Sequence, residues 1–95
     1  MKINTKIVLK NIKGENLKNE DKDFTLGEAL SNVVVNAKEG GKMKLYILGT
    51  KLYQEVEVEV DDADLNLLKS VVKSSEVYNA LILGQCEMLL EEIKK

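Results

Sequence analysis

The chain contains no arginine, histidine, proline or tryptophan, and its 95 residues include one cysteine. Arginine supplies the planar fork that most often reads guanine and grips phosphate, so its absence argues against nucleic acid as a partner. Without histidine, Cys86 has no partner for Cys–His catalysis and no companion ligand for a zinc site. We therefore expect a protein that is not an enzyme and that carries neither a metal nor a cofactor.

The single cysteine and the lack of long apolar runs also bear on the cell compartment. No intramolecular disulfide can form, and the helical apolar spacing around Cys86 predicts a small buried hydrophobe, not a nucleophile. The segment Met1–Lys10 lacks the apolar run of a signal peptide. No stretch approaches the ~20 apolar residues of a membrane span. We expect a cytoplasmic protein with no membrane contact.

Length and composition predict one small folded domain, residues 1–95. Hydrophobic residues make up 44% and charged residues 32% of the chain, which is typical of a globular protein. A domain of this size buries only about 60–65% of its unfolded surface, so self-association would add stabilising contacts, and we expect a homo-oligomer. The net charge of -2 predicts no general attraction to nucleic acid or to anionic membrane.

Two segments alternate between apolar and polar residues. The first predicts a strand over Ile3–Ile12, followed by a turn at Lys13–Asn16. If this strand is one arm of a hairpin, Leu17 begins a short return strand, while Asn19–Asp23 is polar and predicts a loop. The second segment, Gln54–Asp61, predicts a half-buried or edge strand with valines on one side and glutamates on the other.

Helical spacing is clearest after Thr25, which forms the T-x-x-E capping box with Glu28. We expect Gly40-Gly41 to end this first helix, because glycine accepts the left-handed backbone of a helix C-terminus. Its predicted buried face consists of Leu26, Ala29, Leu30, Val33, Val34 and Ala37.

Residues 42–53 are compatible with a helix or a strand, and we favour the helix because their apolar positions recur at helical spacing. Its predicted face is formed by Met43, Tyr46, Ile47 and Thr50, and is extended by Leu45, Leu48 and Leu52.

The C-terminal third predicts a pair of helices separated at Ser74-Ser75. Asp61–Asp64 begins the third helix, with acids at the positive end of its dipole. The last helix is predicted over Glu76–Ile93, with Lys94 and Lys95 at its negative end. The predicted apolar sides are Leu65, Leu68, Val71 and Val72 in the third helix, and Val77, Tyr78, Leu81, Ile82, Met88, Leu89 and Ile93 in the last.

Together these patterns predict an α+β fold. It consists of an N-terminal strand or hairpin, two helices, one Val/Glu strand and a C-terminal helical pair.

Two lysine clusters are candidate anion sites. The glycine turn before Lys42 and Lys44 offers free amides and positive charge to a phosphate, but it lacks the Walker A spacing. The alternative is a helix end followed by a solvated turn. In the predicted N-terminal strand, Lys2, Lys6 and Lys10 share one face, which is either a positive stripe for a charged ligand or an ordinary solvated face.

A third cluster is acidic and lies within residues 55–64, which contain no lysine. It lacks the alternating ligands and turn glycine of a calcium loop. A charged strand edge and helix-capping acids explain it without a ligand. An oligomer in which a basic surface of a second copy meets these acids is a further hypothesis. The cluster comprises Glu55, Glu57, Glu59, Asp61, Asp62 and Asp64.

Four segments carry a resemblance to a known group of proteins. They are FTLGEAL from Phe24, GKMKLY from Gly41, VDDADLNLLK from Val60 and YNALILGQ from Tyr78, followed by an acidic amphipathic tail. Over residues 24–90 this pattern resembles short proteins encoded by bacteriophages and prophages.

The resemblance implies a virus-encoded accessory protein that acts in the bacterial cytoplasm by stoichiometric binding. It would neutralise a host defence protein or sequester a small anionic nucleotide signal. A structural or assembly protein, such as a tail-assembly chaperone, is the alternative, and a nucleic-acid-binding regulator is the third. For a small anionic target, the residues we expect to bind are Lys6, Lys10, Lys42 and Lys44, with Tyr46 or Tyr53 stacking on it.

Overall fold

The computed structural model describes residues 1–38 and 40–93. Within these ranges, four helices and two small antiparallel sheets confirm the α+β fold. In chain order the elements are β1 (Lys2–Asn4), β2 (Lys18–Asn19), β3 (Lys22–Asp23), α1 (Leu26–Val35), α2 (Lys42–Gln54), β4 (Glu57–Glu59), α3 (Asp62–Ser74) and α4 (Ala80–Glu91).

The N-terminal strand is shorter than predicted. Regular pairing with β4 ends at Asn4, and the chain continues through isolated bridges at Val8 and Lys10. The pairing stops because the carbonyl groups of Thr5 and Ile7 accept hydrogen bonds from the first turn of α1, whose N–H groups have no partner within the helix. The predicted alternation still holds, since the side chains that turn inward are Ile3, Thr5 and Leu9.

The polar segment predicted as a loop is instead the hairpin of β2 and β3. Its two turn residues, Glu20 and Asp21, have positive φ of 53° and 69°. Positive φ at both central positions is the geometry of the tight hairpin turn that matches strand twist. The prediction missed it because the usual Asn-Gly or Asp-Gly signal is absent. A cross-strand ion pair between Lys18 and Asp23, at 2.5 Å, closes the hairpin.

The start of α1 is as predicted, and its end is not. The Thr25 hydroxyl accepts a hydrogen bond from the Glu28 N–H at 3.3 Å. The reciprocal half of the capping box is missing, because the Glu28 carboxylate accepts from Asn19 instead. The helix ends at Val35, several residues before the glycines, where the Asn36 amide donates to a carbonyl one turn back. The predicted face is buried from Leu26 to Val34, and Ala37 is half-buried.

The choice of a helix for residues 42–53 is confirmed, but the buried face is the narrower leucine face. Leu45, Leu48 and Leu52 are buried against α1, and at Gly49 an added Cβ would lie 2.7 Å from a Val35 methyl. This close approach fixes which side of α2 meets α1. The apolar side chains on the other side, Met43, Tyr46 and Ile47, are exposed.

The helix α3 matches its prediction closely, whereas β4 is shorter than the predicted Gln54–Asp61, because Gln54 is the last residue of α2. Val58 and Val60 are buried as predicted, but Val56 is exposed. β4 pairs with β1 in an antiparallel register that sets Ile3 opposite Val58. The Asp61 carboxylate caps α3 by accepting from the Asp64 N–H at 2.8 Å. Ser74 ends the helix as expected. All four predicted core residues of α3 are buried, namely Leu65, Leu68, Val71 and Val72.

The last helix begins at Ala80, four residues later than predicted. Asn79 caps it by accepting from the Ile82 N–H at 3.3 Å. Val77 and Met88, predicted in the core, are exposed. Lys94 and Lys95 lie outside the described residues.

The buried side chains form one hydrophobic cluster to which all four helices and the β1–β4 sheet contribute. In the ranges described, no helix is long and apolar enough to cross a membrane.

Candidate functional site

Three of the four predicted ligand-binding lysines lie near opposite ends of α2. Lys42 and Lys44 occupy its first turn. Lys6 lies near its other end, because the hydroxyl of the preceding Thr5 donates to the Glu55 carbonyl just after the helix. A helix of 13 residues is about 20 Å long, so these lysines do not converge on one small ligand.

Lys10 is held by local contacts. Its ammonium group donates to the side-chain oxygen of Asn16. Its backbone N–H donates to the Gln85 Oε1 at 2.8 Å, and its carbonyl accepts from the Gln85 Nε2 at 2.6 Å. Lys10 therefore joins the N-terminal segment to α4, away from the first turn of α2.

Lys44 already has an anionic partner. Its ammonium nitrogen lies 3.0 Å from Asp64 Oδ1, which connects α2 to the first turn of α3. This hydrogen bond, with the charge of Asp64, raises the pKa of Lys44 above its usual value. Among residues 1–38 and 40–93, no ion pair involves Lys42, the other lysine of the predicted phosphate-binding turn. The involvement of these lysines in binding stays a prediction.

The two tyrosines predicted to stack on a ligand belong to a row of exposed apolar side chains, which we call the outer face of α2. Met43, Tyr46 and Ile47 follow the i, i+3, i+4 spacing of one helix side, and Tyr53 lies two turns beyond Tyr46. Exposed fractions are 76% for Met43, 67% for Tyr46, 46% for Ile47 and 64% for Tyr53. Large apolar side chains clustered on a surface mark interaction sites, and tyrosine and methionine are enriched in them.

A cleft of about 430 Å³ lies between α2 and the segment from β4 to α3. Met43 and Ile47 belong to both the outer face and the cleft, while Glu59 and Asp64 form the opposite wall. We call it the α2–β4 cleft. The prediction missed it because the sequence shows two apolar sides on α2 but not which one faces the core. Its remaining lining residues are Lys44, Leu48 and Lys51.

The acidic run meets basic groups within the same chain. The Met1 ammonium lies 3.0 Å from Glu59, and Lys2 lies 3.8 Å from Glu57. Asp61 caps α3. These contacts agree with the explanation by strand-edge and capping acids, and the oligomer stays a prediction. In residues 1–38 and 40–93, no cluster of three or more metal-ligating side chains occurs.

Cys86 and the two serines at the end of α3 are buried or already bonded. Cys86 is buried as predicted, and burial raises the pKa of its thiol to about 12, so it is a thiol at neutral pH. Ser74 and Ser75 line a second cleft, of about 600 Å³, between the ends of α1 and α3. Their hydroxyls bond to the local backbone, Ser74 as a donor to Ser70 and Ser75 as an acceptor from Val77.

Comparisons with known proteins add no family to this description. No protein-family model, curated protein or solved structure matches the chain. The outer face and the α2–β4 cleft are therefore interpreted from their own residues.

Proposed function

We propose that this chain is a bacteriophage- or prophage-type accessory protein that binds a host protein stoichiometrically, without catalysis, in the bacterial cytoplasm. The observation that carries the proposal is the outer face of α2. It sets four large apolar side chains in water on a helix whose other side already packs into the core. The resemblance seen over residues 24–90 supports the viral origin.

The outer face has the composition of a protein-binding surface. Tyr46 and Tyr53 each carry roughly 150–250 Å² of surface and a hydroxyl that can find a partner at an interface rim. Met43 is flexible and polarisable, which suits contact with an irregular surface. Because few residues usually carry most of the binding energy, we expect the tyrosines to dominate.

The test is native mass spectrometry of the protein purified from infected host cells. We expect a complex with one identified host protein at a fixed stoichiometry. The double variant Tyr46→Ala/Tyr53→Ala should weaken this complex at least tenfold. Met88→Ala is the control, because Met88 is an apolar residue on α4 with a similar exposed fraction, 59%. A complex that survives the tyrosine substitutions unchanged contradicts the proposal.

Sequestration of a small anionic nucleotide is the second candidate. Lys42 and Tyr46 are one helical turn apart on α2 and both are exposed, so a charge and a stacking surface lie side by side. A native mass that exceeds the mass of the chain by the mass of a nucleotide would favour sequestration. In that case, alanine at Lys42 and Lys44 should lower ligand affinity, and unchanged affinity would reject the role of both lysines.

An assembly protein is the remaining candidate with a supporting observation. Met88 and Val77 leave apolar surface exposed on and before α4. If a virion protein binds there, Met88→Ala weakens the complex and the tyrosine substitutions do not. The same pair of variants therefore separates the two surfaces. Self-association, also proposed here, would appear in the spectra as whole-number multiples of the chain mass.

A further inference from the structure

The strand β4 has a second edge. On the side that faces β1, the backbone N–H of Thr5 donates to the Val56 carbonyl at 2.9 Å, and the backbone N–H of Val60 donates to the Met1 carbonyl at 2.8 Å. Hydrogen-bonded and non-hydrogen-bonded pairs alternate in an antiparallel ladder, so every second residue of β4 directs its backbone groups toward β1. Val56 and Val60 are in hydrogen-bonded pairs, and the residues between them alternate accordingly. The N–H and C=O groups of Glu57 and Glu59 must therefore point away from β1.

This second edge of β4 is open. Among the residues that the structure describes, no backbone group bonds to the main chain of Glu57 or Glu59 on that side. An unpaired strand edge is a template for another extended chain, because its backbone groups are spaced to continue the sheet. Val56, at the start of the same segment, is also exposed.

The open edge borders the α2–β4 cleft. β4 follows α2 after a short turn, and Glu59 lines the cleft together with Ile47 and Lys51 of α2. Lys44 and Asp64, which form an ion pair at 3.0 Å, also line the cleft. A strand added to β4 would lie in this cleft, with the sheet edge supplying hydrogen bonds and α2 supplying apolar surface.

We infer that the partner inserts an extended segment into the α2–β4 cleft and adds as an antiparallel strand to β4. This inference rests on the proposed protein-binding function and specifies which part of the partner binds and where. Strand addition derives affinity from main-chain hydrogen bonds and selectivity from alternate side chains. The partner segment is apolar at the positions that face the cleft and basic at the positions between them.

β1 is the internal example of this pattern. Ile3 points inward opposite Val58, while Lys2 stands opposite Glu59 on the solvent face. A strand on the other side of β4 meets the same two carboxylates, so lysine is favoured there. The cleft is lined by two lysines and two acids, so its charges balance, and its apolar residues Met43, Ile47 and Leu48 favour apolar side chains that point inward. A β4 strand from a second copy would set glutamate against glutamate, which is destabilising.

The first test uses the peptide Lys-Val-Lys-Val-Lys-Val-Lys, acetylated and amidated at its ends. We expect saturable NMR shifts at Glu57 and Glu59, with slower hydrogen exchange of both amides. In the bound register, lysine N–H groups face β4 and valine N–H groups face away. N-methylation of the lysine amides should therefore weaken binding at least tenfold, and N-methylation of the valine amides should not. Replacing lysine by glutamic acid in the peptide should also weaken binding.

The second test changes the protein. Glu59→Pro removes one outward N–H group and the carboxylate that pairs with the Met1 ammonium, but it leaves the backbone hydrogen bonds to β1 in place, since proline is accepted on strand edges. We expect it to lose the peptide response, while Glu59→Gln keeps most of it. Protected amides at Ile3 and Val58 verify that β1 and β4 still pair. If Glu59→Pro does not fold, the two N-methylated peptides decide the question.

The outcomes separate this inference from the proposed function. Equal binding of the two N-methylated peptides, or shifts confined to α4, overturns the inference. In another outcome, the tyrosine substitutions abolish the host complex while folded Glu59→Pro keeps it. That result supports the proposed function and rejects strand addition. A concentration-dependent dimer that Glu59→Pro abolishes assigns the edge to a second copy and overturns the inference as well.

Discussion

At the scale of single residues, Gly27 lies where three parts of the chain come closest. A Cβ atom at this position would stand 2.4 Å from the carbonyl oxygen of Leu52 and 2.5 Å from the Cβ of Thr5. The start of α1, the end of α2 and the N-terminal segment meet there without space for a side chain. The backbone of Gly27 is ordinary helix, so glycine is required there for lack of space and not for its conformational freedom.

We predict that Gly27→Ala destabilises the protein by about 1–3 kcal/mol, the usual cost of overpacking a tight interior. The matched control is Gly84→Ala, at a helical position of α4 with open space around it. There alanine should stabilise by roughly 0.5–1 kcal/mol, because it restricts the unfolded chain and favours the helix. Urea unfolding of both variants measures the difference. Similar effects at the two positions would contradict the close contact.

Cys86 links residue burial to pH dependence. Burial raises the pKa of its thiol to about 12, whereas an unfolded thiol ionises near pH ~8.5. Between about pH 9 and 12 the unfolded chain has released a proton that the folded chain keeps. The free energy of unfolding therefore falls as pH rises through this window, by up to about 1.4 kcal/mol per pH unit.

We expect Cys86→Ala to show a shallower fall in stability between about pH 9 and 10 than the unmodified protein. The two proteins differ only at this side chain, so the difference between their slopes isolates the thiol. Urea unfolding at several pH values measures it. Identical slopes would show that Cys86 titrates normally in the fold. As an independent check, the thiol should react with a thiol reagent only after unfolding.

At the scale of secondary-structure elements, the sequence predicted helix starts where a capping side chain stood at the boundary. Thr25 and Asp61 both form the expected cap. The start of α4 was misplaced because Val77 and Tyr78 continue an apolar helical pattern. Tertiary contacts decide there: the Tyr78 hydroxyl accepts from Asn32 at 2.7 Å, and its ring packs edge-to-face on Phe24 at 5.6 Å.

The candidate site was predictable only in part for a similar reason. Both sides of α2 carry apolar residues at helical spacing, so periodicity alone cannot choose the buried one. The choice follows from Gly49, where α1 approaches too closely for a side chain. The tyrosines of the outer face were singled out from the sequence, whereas the cleft depends on how β4 returns along α2.

The cap of α1 can be measured directly. We predict that Thr25→Ala costs about 1 kcal/mol, because it leaves the Glu28 N–H without its acceptor. The control is Thr50→Ala inside α2, where the threonine does not cap a helix. Its hydroxyl donates to the Tyr46 carbonyl one turn back. We expect it to be neutral or slightly stabilising. Equal losses in thermal or urea unfolding would contradict a specific capping role.

At the scale of the whole molecule, the N-terminal segment connects elements that are distant in sequence. It pairs with β4, accepts hydrogen bonds from the first turn of α1, and contacts α4 through Gln85. By contrast, the ion pairs that join α3 to α4, Lys69–Glu91 and Lys73–Glu87, are partly exposed, and such pairs add little stability. The attachment of α4 to the N-terminal segment therefore depends on hydrophobic packing in the core and on the hydrogen bonds of the Gln85 side-chain amide.

We predict that Gln85→Ala lowers the free energy of unfolding by about 1–2 kcal/mol, because it removes a reciprocal pair of hydrogen bonds to the Lys10 backbone. Gln54→Ala, at the exposed end of α2, should change stability by less than about 0.5 kcal/mol. The sharper measurement is amide hydrogen exchange. The Lys10 amide should exchange faster in Gln85→Ala while the Ile3 amide stays protected, since β1 pairs with β4 independently. If the Ile3 amide exchanges faster to the same extent as the Lys10 amide, the N-terminal segment detaches as one unit. That outcome would contradict separate attachment of the segment to β4 and to α4.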